Sequence, residues 1–217
     1  MPSSLSPRPS APLSLHALRA LCMDLPPANT QVQHAIAQRE ATLTKPPGSL
    51  GQLEEMTRWL GGWQHSATPR LEHVHVLIFA GNHGVMAHHV SPWPVEVTAQ
   101  MVQNFQHGGA AINQIARVAH ARLAVVAVHD LAPTADFTLA PAMTEAEFLS
   151  AVQVGFNAVP PDCDLLCLGE MGIGNTTAAS ALCAARTHQS GTDWAGQGTG
   201  LDAAGTAHKA TVIDTAL

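Results

Sequence analysis

Three runs of this chain are almost wholly apolar, and polar or glycine-rich sequence follows each one. They are His73-Val-His-Val-Leu-Ile-Phe-Ala80, Leu123-Ala-Val-Val-Ala-Val128 and Cys163-Asp-Leu-Leu-Cys-Leu168. A strand with one wet face alternates apolar and polar residues. A near-continuous apolar run instead marks a strand buried on both faces, as in a parallel sheet under helices. Stretches of helical periodicity separate the runs. The alternation predicts an α/β domain of parallel βαβ units with helices on both faces, over residues 69–217. Three strands are few for such a sheet, since sheets average roughly 5–6 strands. The fold is therefore expected to be incomplete at the C-terminus.

Upstream, residues 14–68 read as a small helical domain. Leu15, Leu18, Leu21 and Cys22 share one helical face. Thr30 with Gln33 is a capping-box pattern before Val32, Ile36 and Leu43. Lys45-Pro-Pro-Gly-Ser-Leu-Gly51 is a rigid connection. Ser49 with Gln52 suggests a second box, before an amphipathic helix carrying Leu50, Leu53, Met56, Leu60 and Trp63. Residues 1–13, rich in Ser and Pro, read as a disordered tail and not as a signal peptide. Further on, Pro94 is expected at the first position of a helix with Val97, Met101, Val102 and Phe105 on one face. Residues 110–121 read as a helix with Ile112, Ile115 and Val118 or Ala119 inward. Thr144 with Glu147 caps a helix carrying Leu149, Val152, Phe156 and Val159.

Composition narrows the function classes. Of 217 residues, 46% are hydrophobic and 12% charged, which suits a packed core and argues against disorder. A net charge of −6 with no basic cluster argues against nucleic acid as a partner. No apolar run approaches the roughly 20 residues of a membrane span. Cys22, Cys163, Cys167 and Cys183 lie in apolar runs and are expected to be small buried hydrophobes in a reducing, cytoplasmic setting.

In parallel sheets ligands bind at the carboxyl ends of strands. Here those ends read Gly81-Asn-His-Gly84, His129-Asp130 and Gly169-Glu-Met-Gly-Ile-Gly-Asn-Thr-Thr177. The last is a strand, a glycine turn and a helix start. Glycines permit a sharp turn and close approach to a ligand, and a helix start offers N–H groups to an anion. Gly172, Gly174, Asn175, Thr176 and Thr177 are thus phosphate-site candidates; the alternative is plain turn and helix-packing glycines. The pattern G-x-x-G-x-G reverses the dinucleotide fingerprint, and no Gly-Lys-Ser/Thr follows. Glu170, a carboxylate beside an anion site, suggests work on an uncharged or cationic part of the ligand. His83, His88 and His89 raise a metal-binding reading; surface-loop histidines are the competing one.

Four stretches carry a resemblance to a known family. They are Lys45–Gly51 with Leu53 and Glu54; Ala80-Gly-Asn-His-Gly-Val85 with Val90-Ser91, Pro94, Val97-Thr98 and Met101; Gly108-Gly-Ala-Ala-Ile-Asn113; and Gly169–Thr177. Residues 196–200 with Lys209 add a weaker match. The chain resembles nicotinate-nucleotide–dimethylbenzimidazole phosphoribosyltransferases of the cobalamin lower-ligand pathway. The resemblance implies a Rossmann-like parallel sheet plus a small helical domain, as a cytoplasmic homodimer. It implies transfer of phosphoribose from nicotinate mononucleotide to 5,6-dimethylbenzimidazole, giving α-ribazole 5′-phosphate and nicotinate, with no metal or redox cofactor. Glu170 would stabilise the positive charge that builds on the ribose. Lys209, otherwise readable as a surface residue, would join the phosphate and ribose site. Asn82, His83, Ser91, Trp93 and Met101 would lie near the benzimidazole; Trp93 and Met101 are alternatively plain packing residues.

The chain departs from the family at Asn82, where an aspartate is usual, and at His129-Asp130-Leu131, where Asp-Val-Gly is common. The family's general-base glutamate belongs to a distal part for which the resemblance gives no counterpart here, and it is expected to be absent from this chain. Losing a general base costs roughly 10²–10⁴ in rate, so this chain alone is expected to be weak or inactive and poorly soluble. The alternative function is a non-catalytic ribotide- or benzimidazole-binding protein of the same fold.

Overall fold

The structure is a computed structural model that describes residues 10–217. The first nine residues of the expected tail lie outside the described residues. The chain divides into two compact units, the first ending at His73 and the second running Val74–Leu217.

The first unit is helical: α1 (Leu15–Met23), α2 (Thr30–Ala41) and α3 (Gln52–Gln64). Asn29, not Thr30, caps α2, its Oδ1 accepting from Val32 N at 3.0 Å. The expected box at Ser49 and Gln52 is absent, and Gly51 holds the cap position of α3. Glu54 Oε1 instead accepts from Leu50 N at 3.2 Å and from Lys45 Nζ at 2.6 Å. Lys45 Nζ also lies 2.9 Å from Glu40, so the Pro-Gly connection is tied to both flanking helices. Those two carboxylates raise the Lys45 pKa, and Lys45 in turn holds the Glu54 carboxyl below its usual range. The inward face of α3 differs from expectation: its buried residues are Gly61 and Gly62, while Leu53, Met56 and Trp63 are about half exposed. Helices approach most closely where side chains are smallest, and Ile36 of α2 lies against Gly61.

The second unit alternates β1 (Val74–Ala80), α4 (Glu96–Gln106), α5 (Ala111–Val118), β2 (Arg122–Ala127), α6 (Glu145–Ala158), β3 (Leu165–Met171), α7 (Asn175–Thr187), α8 (Gly191–Trp194) and α9 (Ala203–Thr215). The strands form a parallel sheet in the order β2-β1-β3. Val76 and Ile78 of β1 pack with Phe105 of α4 and Ala116 of α5, and Met101, Ile112, Leu123 and Val125 close that core. Thr144 and Glu147 form the expected capping box on α6. Pro94 does not open α4; it precedes the cap residue Val95.

Three further expectations do not hold. On α5, Ile112 and Ala116 face the core, whereas Ile115 is 63% and Val118 82% exposed. Helical spacing left the choice of face open, and the pair four residues apart is the one that meets the sheet. β1 is buried along its length, but β2 and β3 flank it and are half exposed; Leu168 is 70% exposed. Finally, no cysteine is buried. Cys22 and Cys167 are exposed and the other two half-buried, Cys167 because it lies on an outer strand.

Candidate functional site

The chain leaves β1 for β2 on one side, then crosses back to place β3 on the other. The strand order therefore reverses between β1 and β3, which is where parallel sheets open a crevice. Both strands end in tight glycine turns there. A β-carbon at Gly172 would lie 2.3 Å from Gly81 O, so only glycine lets the two turns touch. Gly174, at φ +91°, occupies the cap position of α7 in a backbone region that side chains disfavour. Thr98, fully buried on α4, accepts from Ile173 N at 3.1 Å and pins the turn from below. The first amides of α7 are satisfied locally: Thr176 N donates to Asn175 Oδ1 at 2.7 Å and Thr177 N to Gly174 O at 3.0 Å. The expected row of free N–H groups is thus largely occupied.

The positive charge comes from elsewhere. Lys209 of α9 is not a surface residue; it is 1% exposed. Its Nζ donates to Thr176 Oγ1 at 2.8 Å and to Gly196 O at 3.3 Å. Among the described residues no carboxylate pairs with it, and burial alone pushes its pKa below the ordinary lysine value. It faces a narrow cavity of about 20 Å³, lined also by Ser91, Gly172, Gly174, Thr176 and Gly198.

A second, wider cavity of about 280 Å³ lies at the ends of the same strands. Phe79, Asn82, His83, Glu170 and Met143 line it, and Asn175 borders both cavities. Burial lowers the pKa of His83, which favours the neutral ring. Asn82 Nδ2 donates to Leu131 O at 3.0 Å, something an aspartate could not do. Leu131 ends a left-handed turn, with φ of 48°, 51° and 63° over His129, Asp130 and Leu131. An open groove of about 570 Å³ continues from this cavity past His129 and Met143 to Glu147 and Ser150.

The expected site residues therefore separate. Gly172, Gly174, Thr176, Ser91 and Lys209 meet at the small cavity; Asn82, His83 and Glu170 meet at the large one. Thr177 is fully buried in α7, its hydroxyl without a hydrogen-bond partner. Met101 lines neither cavity: the α4 face that carries it packs into the sheet core. Trp93 is 51% exposed and its indole N–H donates to Thr199 O at 3.2 Å, on the lysine side. Thr98 falls within one of the motifs that carry the resemblance, but its anchoring role needed the packing of α4 under the turn.

His88 serves the scaffold. His88 Nε2 is 2.7 Å from Asp136 Oδ2 and 3.0 Å from Thr138 Oγ1. Burial pushes the Asp136 pKa up, but the Thr138 and His88 hydrogen bonds outweigh it and hold the carboxyl below its usual range. Among the described residues no three His, Cys, Asp or Glu side chains converge as a metal site.

Fold and site together define an α/β protein whose candidate site lies at the switch point between β1 and β3. The profile of the family described as phosphoribosyltransferase matches residues 25–217, and the chain belongs to that family. It is 52% identical over 204 residues to the nicotinate-nucleotide–dimethylbenzimidazole phosphoribosyltransferase of Mesorhizobium japonicum, covering 94% of this chain and 61% of that protein. The enzyme of the same name from Ruegeria pomeroyi is 56% identical over 176 residues, covering 81% of this chain and 52% of that one. Among solved structures, CobT from Thermus thermophilus superposes with a TM-score of 0.78 at 38% identity, covering 85% of this chain and 61% of that one. The chain thus spans at most about three fifths of the length of these relatives.

Proposed function

We propose that this chain holds the ribotide side of a transferase that moves phosphoribose from nicotinate mononucleotide to 5,6-dimethylbenzimidazole. One observation carries the reading: Lys209 is buried beside a glycine turn with no carboxylate partner among the described residues. A buried unpaired charge is costly, and an anionic ligand removes that cost. The 5′-phosphate would sit on Lys209, Thr176 and the Gly172–Gly174 turn. The ribose would lie along Asn175, which borders both cavities. The reacting C1′ would then face Glu170 in the wider cavity.

The chemistry follows from that placement. The bond from C1′ to the pyridinium nitrogen breaks, and its electron pair leaves with nicotinate. Positive charge grows on the ribose, and the Glu170 carboxylate stabilises it. A benzimidazole ring nitrogen supplies the electron pair of the new bond, and the ring's N–H proton passes to a base. His83, kept neutral by burial, and Asn82 would orient the incoming ring from the β1 turn. A cytoplasmic homodimer belongs to the same reading. No helix among the described residues is long and apolar enough to cross a membrane.

Calorimetric titration of nicotinate mononucleotide into this chain and its Lys209→Met variant tests the reading. Hydrogen bonds to a charged group are worth about 1.5–3 kcal/mol, so affinity should fall roughly 10- to 100-fold. Equal affinities would overturn the assignment. Product analysis after adding dimethylbenzimidazole tests the transfer itself: formation of α-ribazole 5′-phosphate marks a transferase and excludes a purely binding protein.

A further inference from the structure

The small cavity raises a problem of access. About 20 Å³ holds roughly one water molecule and no phosphate group. Lys209 is sealed in, and one of its two hydrogen-bond acceptors is Gly196 O, at the start of the segment that closes over it. That segment, residues 196–200, contains three glycines, of which Gly198 and Gly200 have φ of +54° and +117°. Its other side-chain ties to the unit are few. Trp93 donates its indole N–H to Thr199 O at 3.2 Å, and Ser91 Oγ lies 3.5 Å from Thr199 Oγ1. Ser91 also accepts from Trp93 N at 3.2 Å, so the two latch residues are held together.

We infer that residues 196–200 form a gate over Lys209 and that Trp93 is the residue positioning it. The inference rests on reading Lys209 as the phosphate site. When the gate opens, Lys209 exchanges Gly196 O for a phosphate oxygen, and Trp93 releases Thr199 O. Glycine at three of five positions gives the segment the backbone freedom to swing. Trp93 thus acts through Thr199 on phosphate access, on the side of the site away from the wider cavity. The ligand class is a phosphate monoester dianion, either the ribotide's own phosphate or inorganic phosphate.

Two measurements test it. The first uses a Ser91→Cys, Thr199→Cys double variant, whose side chains start close enough to form a disulfide. Oxidised, it should bind neither nicotinate mononucleotide nor inorganic phosphate; reduced, the same sample should bind again. Binding to the ribotide alone in the reduced sample would assign the gate to the nucleotide, and binding to both would assign it to phosphate in general. The second measurement is stopped-flow binding to Trp93→Phe. This variant loses the N–H donor together with part of the ring, so association should quicken by roughly the 2–10-fold that one hydrogen bond contributes to an opening equilibrium. Undiminished binding to the confirmed disulfide form, or an unchanged association rate in Trp93→Phe, would overturn the gate. Failure of the wild-type and reduced samples alike to bind phosphate or ribotide would instead sink the reading of Lys209.

Discussion

The two cavities at the β1–β3 crevice share Asn175 and little else. One is narrow, about 20 Å³, and is lined by a buried lysine; the other is wider, about 280 Å³, largely apolar, with the Glu170 carboxylate and the neutral His83. Charge enclosed without a partner makes a site selective for an anion, because any other occupant leaves the desolvation cost in place. An open apolar cavity selects by shape and tolerates its own emptiness. Placing them side by side lets one ligand be anchored firmly at one end while chemistry occurs at the other.

This division of labour meets its hardest test at Glu170. In an enzyme form that turns over, Glu170→Gln should lower kcat by about 10²–10³, the range for losing one preorganised electrostatic group. The KM for the ribotide should stay within a few-fold, since the anchor is elsewhere; steady-state kinetics give both. Gly172→Ala attacks the turn contact between β1 and β3 on which both cavities rest. Its β-carbon would meet a backbone carbonyl that cannot rotate away, so we expect a loss of about 1–3 kcal/mol in denaturant melts. Thr98→Val keeps the shape but strands the Ile173 N–H. It should cost about 1–2 kcal/mol, and ribotide binding should weaken more than binding of benzimidazole alone.

The smallest effect isolates the lysine cavity through pH. Burial lowers the Lys209 pKa in the free protein. Between that lowered value and the ordinary lysine value, the unfolded chain keeps a proton that the folded chain has released. Stability should therefore rise with pH across that window, and Lys209→Met should lack the rise. In the same window ribotide affinity should fall about tenfold per pH unit, because binding then requires proton uptake. Melts and titrations at stepped pH check both.

Much of this was legible along the chain. Continuous apolar runs marked three parallel strands, and the Thr144–Glu147 box marked a helix start, because each depends on neighbours within a few residues. Asn29 took the α2 cap from Thr30 through a bond only three residues long, so that miss was local. The others depended on distant partners: α3 turned glycines inward, and α5 buried Ala116 in place of Ile115. In each, local periodicity allowed several faces and packing chose one. The thirteen histidines suggested metal. Yet His65, His89, His120, His129 and His188 all have left-handed backbone, and His65 and His188 close α3 and α7. Their number reflects in part how the chain reverses.

For residues 169–177, residue type and spacing were enough to specify a strand, a glycine turn, a helix start and one carboxylate. Lys209 was visible too, but in a stretch that reads equally as a wet helix face. Packing in three dimensions is what buries this lysine, leaves it without a carboxylate partner among the described residues, ties Trp93 to Thr199 and leaves Met101 out of the site. Desolvation and charge pairing are fixed by what surrounds a group in space, and residues 176, 196 and 209 become neighbours only when α9 folds back across the start of α7.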